Sequence, residues 1–238
     1  MIVHALFPTL LLEDDAPDHG FIKDVYLKAL MRHLTQDGYS NERTGHVTLH
    51  HDQIFEPICV MATKLARQYC EVMQIDPALF DFNVVKTWFN ILGENRTPMH
   101  NHGDAHISFV YYINVPEGLE QDIEFYCKEP KLEPFIGFAK FNNPAEWNIF
   151  NSYAWRFQCP EGKMYLFPAG MFHDTVCEKN ERPDGITSVE DARSYRISFA
   201  GDILLTYKEK EAKPLGLQPR RNWRTFDGGA HEERKGSA

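Results

Sequence analysis

A chain of 238 residues with 43% hydrophobic residues is long enough to bury a sizeable core and short enough to form one domain. Its formal net charge of −9 offers no basic footprint for nucleic acid, and no apolar run approaches the length that crosses a bilayer. Five cysteines (Cys59, Cys70, Cys127, Cys159 and Cys177), odd in number and without a CxxC pair, read as reduced thiols in a cytoplasmic setting.

The opening MIVHALFPTLLLEDD has no basic stretch ahead of its apolar run, which Pro8 breaks and acids end. It reads as a strand and not as a signal peptide. Asp24–Gln36 (DVYLKALMRHLTQ) sets Val25, Leu27, Leu30, Met31 and Leu34 mostly along one stripe, and Gly38 closes it, so a helix is expected. Asp52–Met73 predicts a longer helix, with Asp52 as N-cap and Pro57 tolerated near the first turn. Its buried face would be Ile54, Ile58, Met61, Leu65 and Val72. His46, His50 and His51 ahead of it read as surface residues. Both helices are expected to back one sheet.

From Phe82 onward strand signals dominate. The candidates are Phe82–Leu92, His106–Val115, Ile123–Cys127, Phe135–Phe141, Trp147–Phe150, Lys163–Phe167, Met171–Cys177 and Tyr195–Tyr207. Short strands separated by turn residues predict a mainly β fold with flanking α-helices, a double-stranded β-helix (jelly roll, cupin-like). With no repeat or linker, one domain is expected over residues 1–227. Residues 208–238 hold eight Lys/Arg against five Asp/Glu, so the acidic excess lies ahead of them, and 228–238 (GGAHEERKGSA) reads as a flexible, solvated tail.

The chemistry gathers at Thr97–Asn114, TPMHNHGDAHISFVYYIN, where His100, His102, Asp104 and His106 fall within seven residues. On an extended backbone residues i and i+2 share a side. His100 with His102, or His102 with Asp104, therefore presents two donor atoms to one point, half of a metal site. An H-x-H pair alone arises often by chance. Two distant elements strengthen it. Tyr165–Cys177 (YLFPAGMFHDTVC) turns at Ala169-Gly170 and resumes with His173, a candidate third ligand. Tyr195–Phe199 (YRISF) buries an arginine in an apolar strand, costly unless it meets an anion, which suits a carboxylate.

The series H-x-H, SFVYYIN, LFPAGMFHDTV and R-x-S-F, in that order, resembles the 2-oxoglutarate- and Fe(II)-dependent oxygenases over roughly residues 82–201, in a branch found in bacteria and phages. The start of the chain, with its LFPT, is similar to that branch too. The resemblance implies an oxidoreductase using Fe(II), 2-oxoglutarate as cosubstrate and O2. It would hydroxylate a protein side chain or a small molecule while converting 2-oxoglutarate to succinate and CO2. It also implies metal ligands His100, His102 and His173, with no catalytic residue beyond them. The superfamily's His-x-carboxylate pattern keeps Asp104 open as an alternative proximal ligand with His102. Gly93 and Pro98, placed as superfamily members commonly place them, favour His100 as the first ligand. Asp104 would then orient a ligand or line the substrate mouth. Arg196, with Ser198 on the same strand face, is the expected anchor of the 2-oxoglutarate C5 carboxylate, and Tyr112 would donate to the same group. Tyr111, of opposite parity, reads as core.

Departures and weaker candidates complete the reading. His173 and Arg196 stand 23 residues apart, further than the superfamily usually has them. The excess, Glu178–Arg193, reads as a surface loop or a lid, and Arg193 as an alternative anchor. Trp88 and Asn90 share a strand face that can line the pocket, His106 reads as polar filler, and Asn142–Trp155 as a barrel corner or a recognition loop. The competing function is a cupin-like three-histidine dioxygenase that does not use 2-oxoglutarate. A jelly-roll binding module with structural histidines is a third. In each case the protein is expected in the cytoplasm (the host cytoplasm where a phage encodes it), acting without nucleic acid or membrane.

Overall fold

Alternation along one strand sets the architecture. In RISFAGDI (196–203), Ile197, Phe199 and Ile203 bury themselves in one apolar cluster, whereas Ala200 joins a second. A strand sends successive side chains to opposite faces, so this sheet is covered on both sides. A computed structural model describes residues 8–36, 48–92, 97–118, 122–127, 152–176, 186–211 and 216–224.

The strands are β1 (Leu12–Asp15), β2 (Phe80–Leu92), β3 (Thr97–His100), β4 (Ile107–Asn114), β5 (Asp122–Tyr126), β6 (Ala154–Phe157), β7 (Lys163–Pro168), β8 (His173–Val176) and β9 (Arg196–Tyr207). They form a five-stranded sheet, β1-β7-β4-β9-β2, and a four-stranded sheet, β3-β8-β5-β6. Every pairing between them is antiparallel. Two facing antiparallel sheets with crossing connections make the expected double-stranded β-helix.

Helices α1 (His19–Gln36) and α2 (Glu56–Val72) cover the outer face of the larger sheet. Tyr26, Leu27 and Leu30 of α1 and Ile58, Ala62 and Leu65 of α2 pack there with Phe55, Phe89, Phe109 and Phe199. The Phe55 and Phe199 rings stack at 5.1 Å. Helices long enough to cover a sheet face but too short to be stable alone draw their stability from such burial. The inner cluster, between the sheets, holds Trp88, Val110, Tyr112, Phe125, Tyr165 and Phe167.

Several details differ from the sequence reading. The first helix begins at His19, ahead of Asp24. The second begins at Glu56. Asp52 caps the 3-10 turn before it, its carboxylate accepting from the Ile54 N–H at 3.1 Å. Val72, expected on the buried face, is 57% exposed at the last turn, where α2 no longer overlies the sheet. Of the strand expected at the N-terminus, the described residues 8–15 show its acidic end, LEDD, paired. As an edge strand beside β7 it keeps its charges in water, with Glu13 and Asp15 both on Lys163. Strands β3 and β6 carry no strong local signal and arise from pairing with β8 and β5. The expected strands Phe135–Phe141 and Trp147–Phe150 lie outside the described residues, as do Gly38, His46, Gly93, Cys177 and the tail 228–238.

Two close approaches lock the larger sheet. A Cβ on Gly201 would stand 2.6 Å from the Phe109 ring and 2.7 Å from the Lys86 carbonyl oxygen, so only glycine fits where β9 passes the irregular stretch of β2. At the turn into β7, Glu161 accepts from Lys23 Nζ at 2.8 Å, the Val115 N–H at 2.9 Å and His19 Nε2 at 3.0 Å, tying α1 to the end of β4.

Candidate metal and cosubstrate site

Position in the sheets brings the histidines together. His100 ends β3 and His173 begins β8, and the two are direct antiparallel partners, so their side chains share the inner face. Thr175 Oγ1 donates to Thr97 Oγ1 at 2.7 Å and holds the two strands in register. His102 follows in the loop to β4, which is fastened twice to the turn before β8. The His102 N–H donates to the Ala169 carbonyl at 2.7 Å, and the Ala169 N–H to the His106 carbonyl at 3.0 Å. The His106 N–H in turn reaches the Ile203 carbonyl of β9.

One ligating nitrogen from each of His100, His102 and His173 lies within 4.8 Å of the others. The hydrogen bonds on the far nitrogens decide what these rings can do. His100 Nδ1 meets the Pro98 carbonyl at 2.7 Å, His173 Nδ1 the Met171 carbonyl at 3.0 Å, and His102 Nδ1 the Asp202 carboxylate at 2.6 Å. All three partners are acceptors, so in the neutral form of each ring Nδ1 carries the proton and Nε2 keeps its lone pair. Burial also pushes the His173 pKa down to about 4, so this ring is neutral at neutral pH. Three imidazoles with directed lone pairs suit a divalent first-row metal and leave its other positions to smaller ligands.

The alternative proximal ligand, Asp104, stands apart. Its side chain is 60% exposed and paired with Lys86, which holds its carboxyl below the usual carboxylate range. His106 is exposed and accepts from the Leu205 N–H through Nδ1. His50 and His51 lie by α2, where Thr87 is the partner of His50.

The same interior holds the other expected residues. The three histidines, Tyr112, Arg196 and Ser198 line one cavity of about 50 Å³ between the sheets. Arg196 is buried at 1% exposure, its guanidinium 4.7 Å from the centre of the Tyr112 ring. The Tyr112 hydroxyl has the Cys159 thiol, Arg196 and Tyr165 near it but makes no hydrogen bond of ordinary geometry among the described residues. Burial raises its pKa well above the ordinary phenol range, so it stays a donor. Tyr111 faces the outer cluster, as its parity predicts. Arg193 is on the other side of the sheet, pairing with Asp24 of α1 from the end of the short helix α3 (Val189–Ala192). Ala192 is buried in the outer cluster there, so residues 189–193 sit on the helix side and not over the cavity; residues 178–185 lie outside the described residues. Trp88 and Asn90 both line the cavity, joined by Nε1–H to Oδ1 at 3.1 Å, and Trp88 is also core.

Two residues that the sequence reading did not single out by themselves stand near the site. Asp202 is the first; a buried carboxylate six residues from Arg196 shares its strand face, which is legible in RISFAGD. Trp155 is the second. Register aligns it with Phe125 and His173 across β6, β5 and β8, which puts a 41% exposed indole on the row that contains a histidine of the triad. Of the segment Asn142–Trp155, only residues 152–155 are described.

Residues 86–184 match the family described as "Putative 2OG-Fe(II) oxygenase". The chain resembles the 2-oxoglutarate- and Fe(II)-dependent oxygenases. That family implies an oxidoreductase with Fe(II) as metal and 2-oxoglutarate and O2 as cosubstrates. Among curated proteins no sequence matches the chain. Among solved structures it is similar to AviO1 from Streptomyces viridochromogenes Tue57, at 9% identity and a TM-score of 0.50, covering 87% of this chain and 91% of that one. It is equally similar to HygX from Streptomyces hygroscopicus, solved with nickel and 2-oxoglutarate bound, at 12% identity and a TM-score of 0.50 over 82% of each chain. At such identity these likenesses speak for the shared double-stranded β-helix fold. No helix among the described residues is long and apolar enough to cross a membrane.

Proposed function

We propose that this protein is a 2-oxoglutarate- and Fe(II)-dependent hydroxylase built as one domain over residues 1–227. It would act on a protein side chain or a small molecule. The observation that carries the proposal is a single cavity lined both by three converging histidines and by a buried arginine. A guanidinium buried in the cavity wall suits a carboxylate-bearing cosubstrate such as 2-oxoglutarate, because a buried cation is stabilised by an anion brought to it.

In this reading His100, His102 and His173 hold the metal through Nε2. Bound Fe(II) would supply the redox-active centre for O2, whose four electrons come two from 2-oxoglutarate and two from R–H. The reaction balances as 2-oxoglutarate + O2 + R–H giving succinate + CO2 + R–OH. Arg196 receives the distal carboxylate in a charge-assisted pair, Ser198 and Tyr112 donate to it, and the apolar wall of Val110 and Phe167 excludes water. The keto acid is thereby held by its far end, with its reactive end toward the histidines. The HygX structure, which contains nickel and 2-oxoglutarate, supports such an occupant for the shared fold. Trp155, open to solvent in the row of His173, would meet the substrate.

The test is an anaerobic addition of Fe(II) and then 2-oxoglutarate, followed in the visible range. A weak charge-transfer band from the keto-acid chelate is the expected result. Fe(II) binding with no such band would transfer the protein to the three-histidine cupin class. No metal binding at all would make it a jelly-roll binding module.

A further inference from the structure

The three histidines differ in what stands behind them. Two rest on neutral carbonyl oxygens, those of Pro98 and Met171. The third, His102, rests on a carboxylate: its Nδ1 is 2.6 Å from Asp202 Oδ1. That oxygen also accepts from Ser108 Oγ at 2.6 Å, and Asp202 is only 1% exposed. Lys86 is the register partner of Asp202 across β2 and β9, yet its ammonium pairs with the exposed Asp104. The imidazole of His102 is thus the basic side chain hydrogen-bonded to Asp202.

A buried carboxylate needs positive charge near it, because an uncompensated charge is costly in a low-dielectric interior. A divalent cation on the opposite nitrogen of His102 removes that cost.

Building on the oxygenase reading, we propose that Asp202 is the positioning residue of the metal centre. It fixes the Nδ1–H form of His102, aims Nε2 into the cavity, and supplies through that ring the negative charge that three neutral imidazoles do not. A carboxylate behind a ligating histidine makes the ring more basic and holds its orientation, and loss of such a partner typically lowers metal affinity roughly 10- to 100-fold.

The experiment compares Asp202→Asn, Ser108→Ala and His173→Ala with wild type by anaerobic calorimetry with Fe(II) and Co(II), and by the visible spectrum of the Co(II) protein. Asp202→Asn preserves shape and removes charge. It should bind both metals roughly 10- to 100-fold more weakly and shift the cobalt bands. Ser108→Ala, which leaves the charge, should change affinity by less than about threefold. Wild-type affinity and an unchanged cobalt spectrum in Asp202→Asn, with His173→Ala binding no metal, would overturn the role of Asp202 and leave the oxygenase reading standing. Wild-type affinity in His173→Ala would instead remove the metal site itself. Should Asp202→Asn not fold, proton NMR of the Zn(II)-loaded wild type carries the same test. An exchange-protected His102 Nδ1 proton downfield of those of His100 and His173 supports the assignment, and its absence overturns it.

Discussion

His100 and His173 face each other directly across β3 and β8, with ring centroids 4.4 Å apart. Two ligands on paired strands of one sheet cannot be moved independently, and His102 is brought to them by a separately fastened loop. Removing His173 leaves two ligands that cannot close a site against water. His173→Ala and His100→Ala should therefore each abolish tight Fe(II) or Co(II) binding by calorimetry. Asp104→Ala should bind as wild type does, since it loses only an exposed ion pair worth about 0–1 kcal/mol. The opposite ranking of His100 and Asp104 would put the His102-x-Asp104 pair at the metal.

Arg196 is not among the three converging histidines, so its replacement should separate cosubstrate binding from metal binding. Arg196→Met keeps most of the stem's volume. It should bind Fe(II) normally and lose tens- to thousands-fold in 2-oxoglutarate affinity, since truncating a buried charge pair costs about 2–5 kcal/mol. Arg196→Lys should recover part, because an ammonium cannot reproduce the planar fork. Arg193→Ala, on the helix side of the sheet, should leave the affinity unchanged. Titration of the chelate band reads all three, and an effect at Arg193 instead of Arg196 would mean that β9 presents the wrong face to the cavity.

The Tyr112 hydroxyl is a buried donor with no hydrogen bond of ordinary geometry among the described residues. Replacing such a group by an apolar one relieves a desolvation cost of about 1–3 kcal/mol in the ligand-free protein. Tyr112→Phe should thus melt at or above the wild-type temperature without 2-oxoglutarate, yet bind 2-oxoglutarate several-fold more weakly. A loss of stability with unchanged affinity would assign Tyr112 to the core alone.

Burial holds the His173 pKa at about 4, below the value near 6.5 of an unfolded chain. The unfolded state therefore binds a proton in the window between these values and the folded state does not. Stability of the metal-free protein is fully present above pH 6.5 and is lost as pH falls toward 4, by on the order of 3 kcal/mol. Urea denaturation at stepped pH should give a shallower slope for His173→Phe across this window. An equal slope in the two proteins would show that His173 does not titrate with unfolding.

Local chemistry and strand parity were enough to read much of this protein. Period-2 alternation separates Tyr112 from Tyr111 and places Arg196 with Ser198, because a pleated strand admits only two directions for a side chain. The H-x-H pair, the histidine after the LFPAGMF turn and the arginine in an apolar strand mark the chemistry, since these residue types are expensive to bury without a ligand or a partner.

Tertiary structure decided what depends on distant partners. Nothing local distinguishes Asp104 from Asp202 as the acid near the histidines, and Asp104 is the nearer in sequence. Pairing of β9 with β4 and β2 sets Asp202 beneath His102, while the irregular stretch of β2 and the exposed loop bring Lys86 to Asp104. Strands β3 and β6 exist because β8 and β5 offer open edges, so a short segment containing Pro98 can pair without a strong propensity of its own. The carboxylate that serves the site is chosen by sheet register, a contact across 100 residues of chain that no local pattern records.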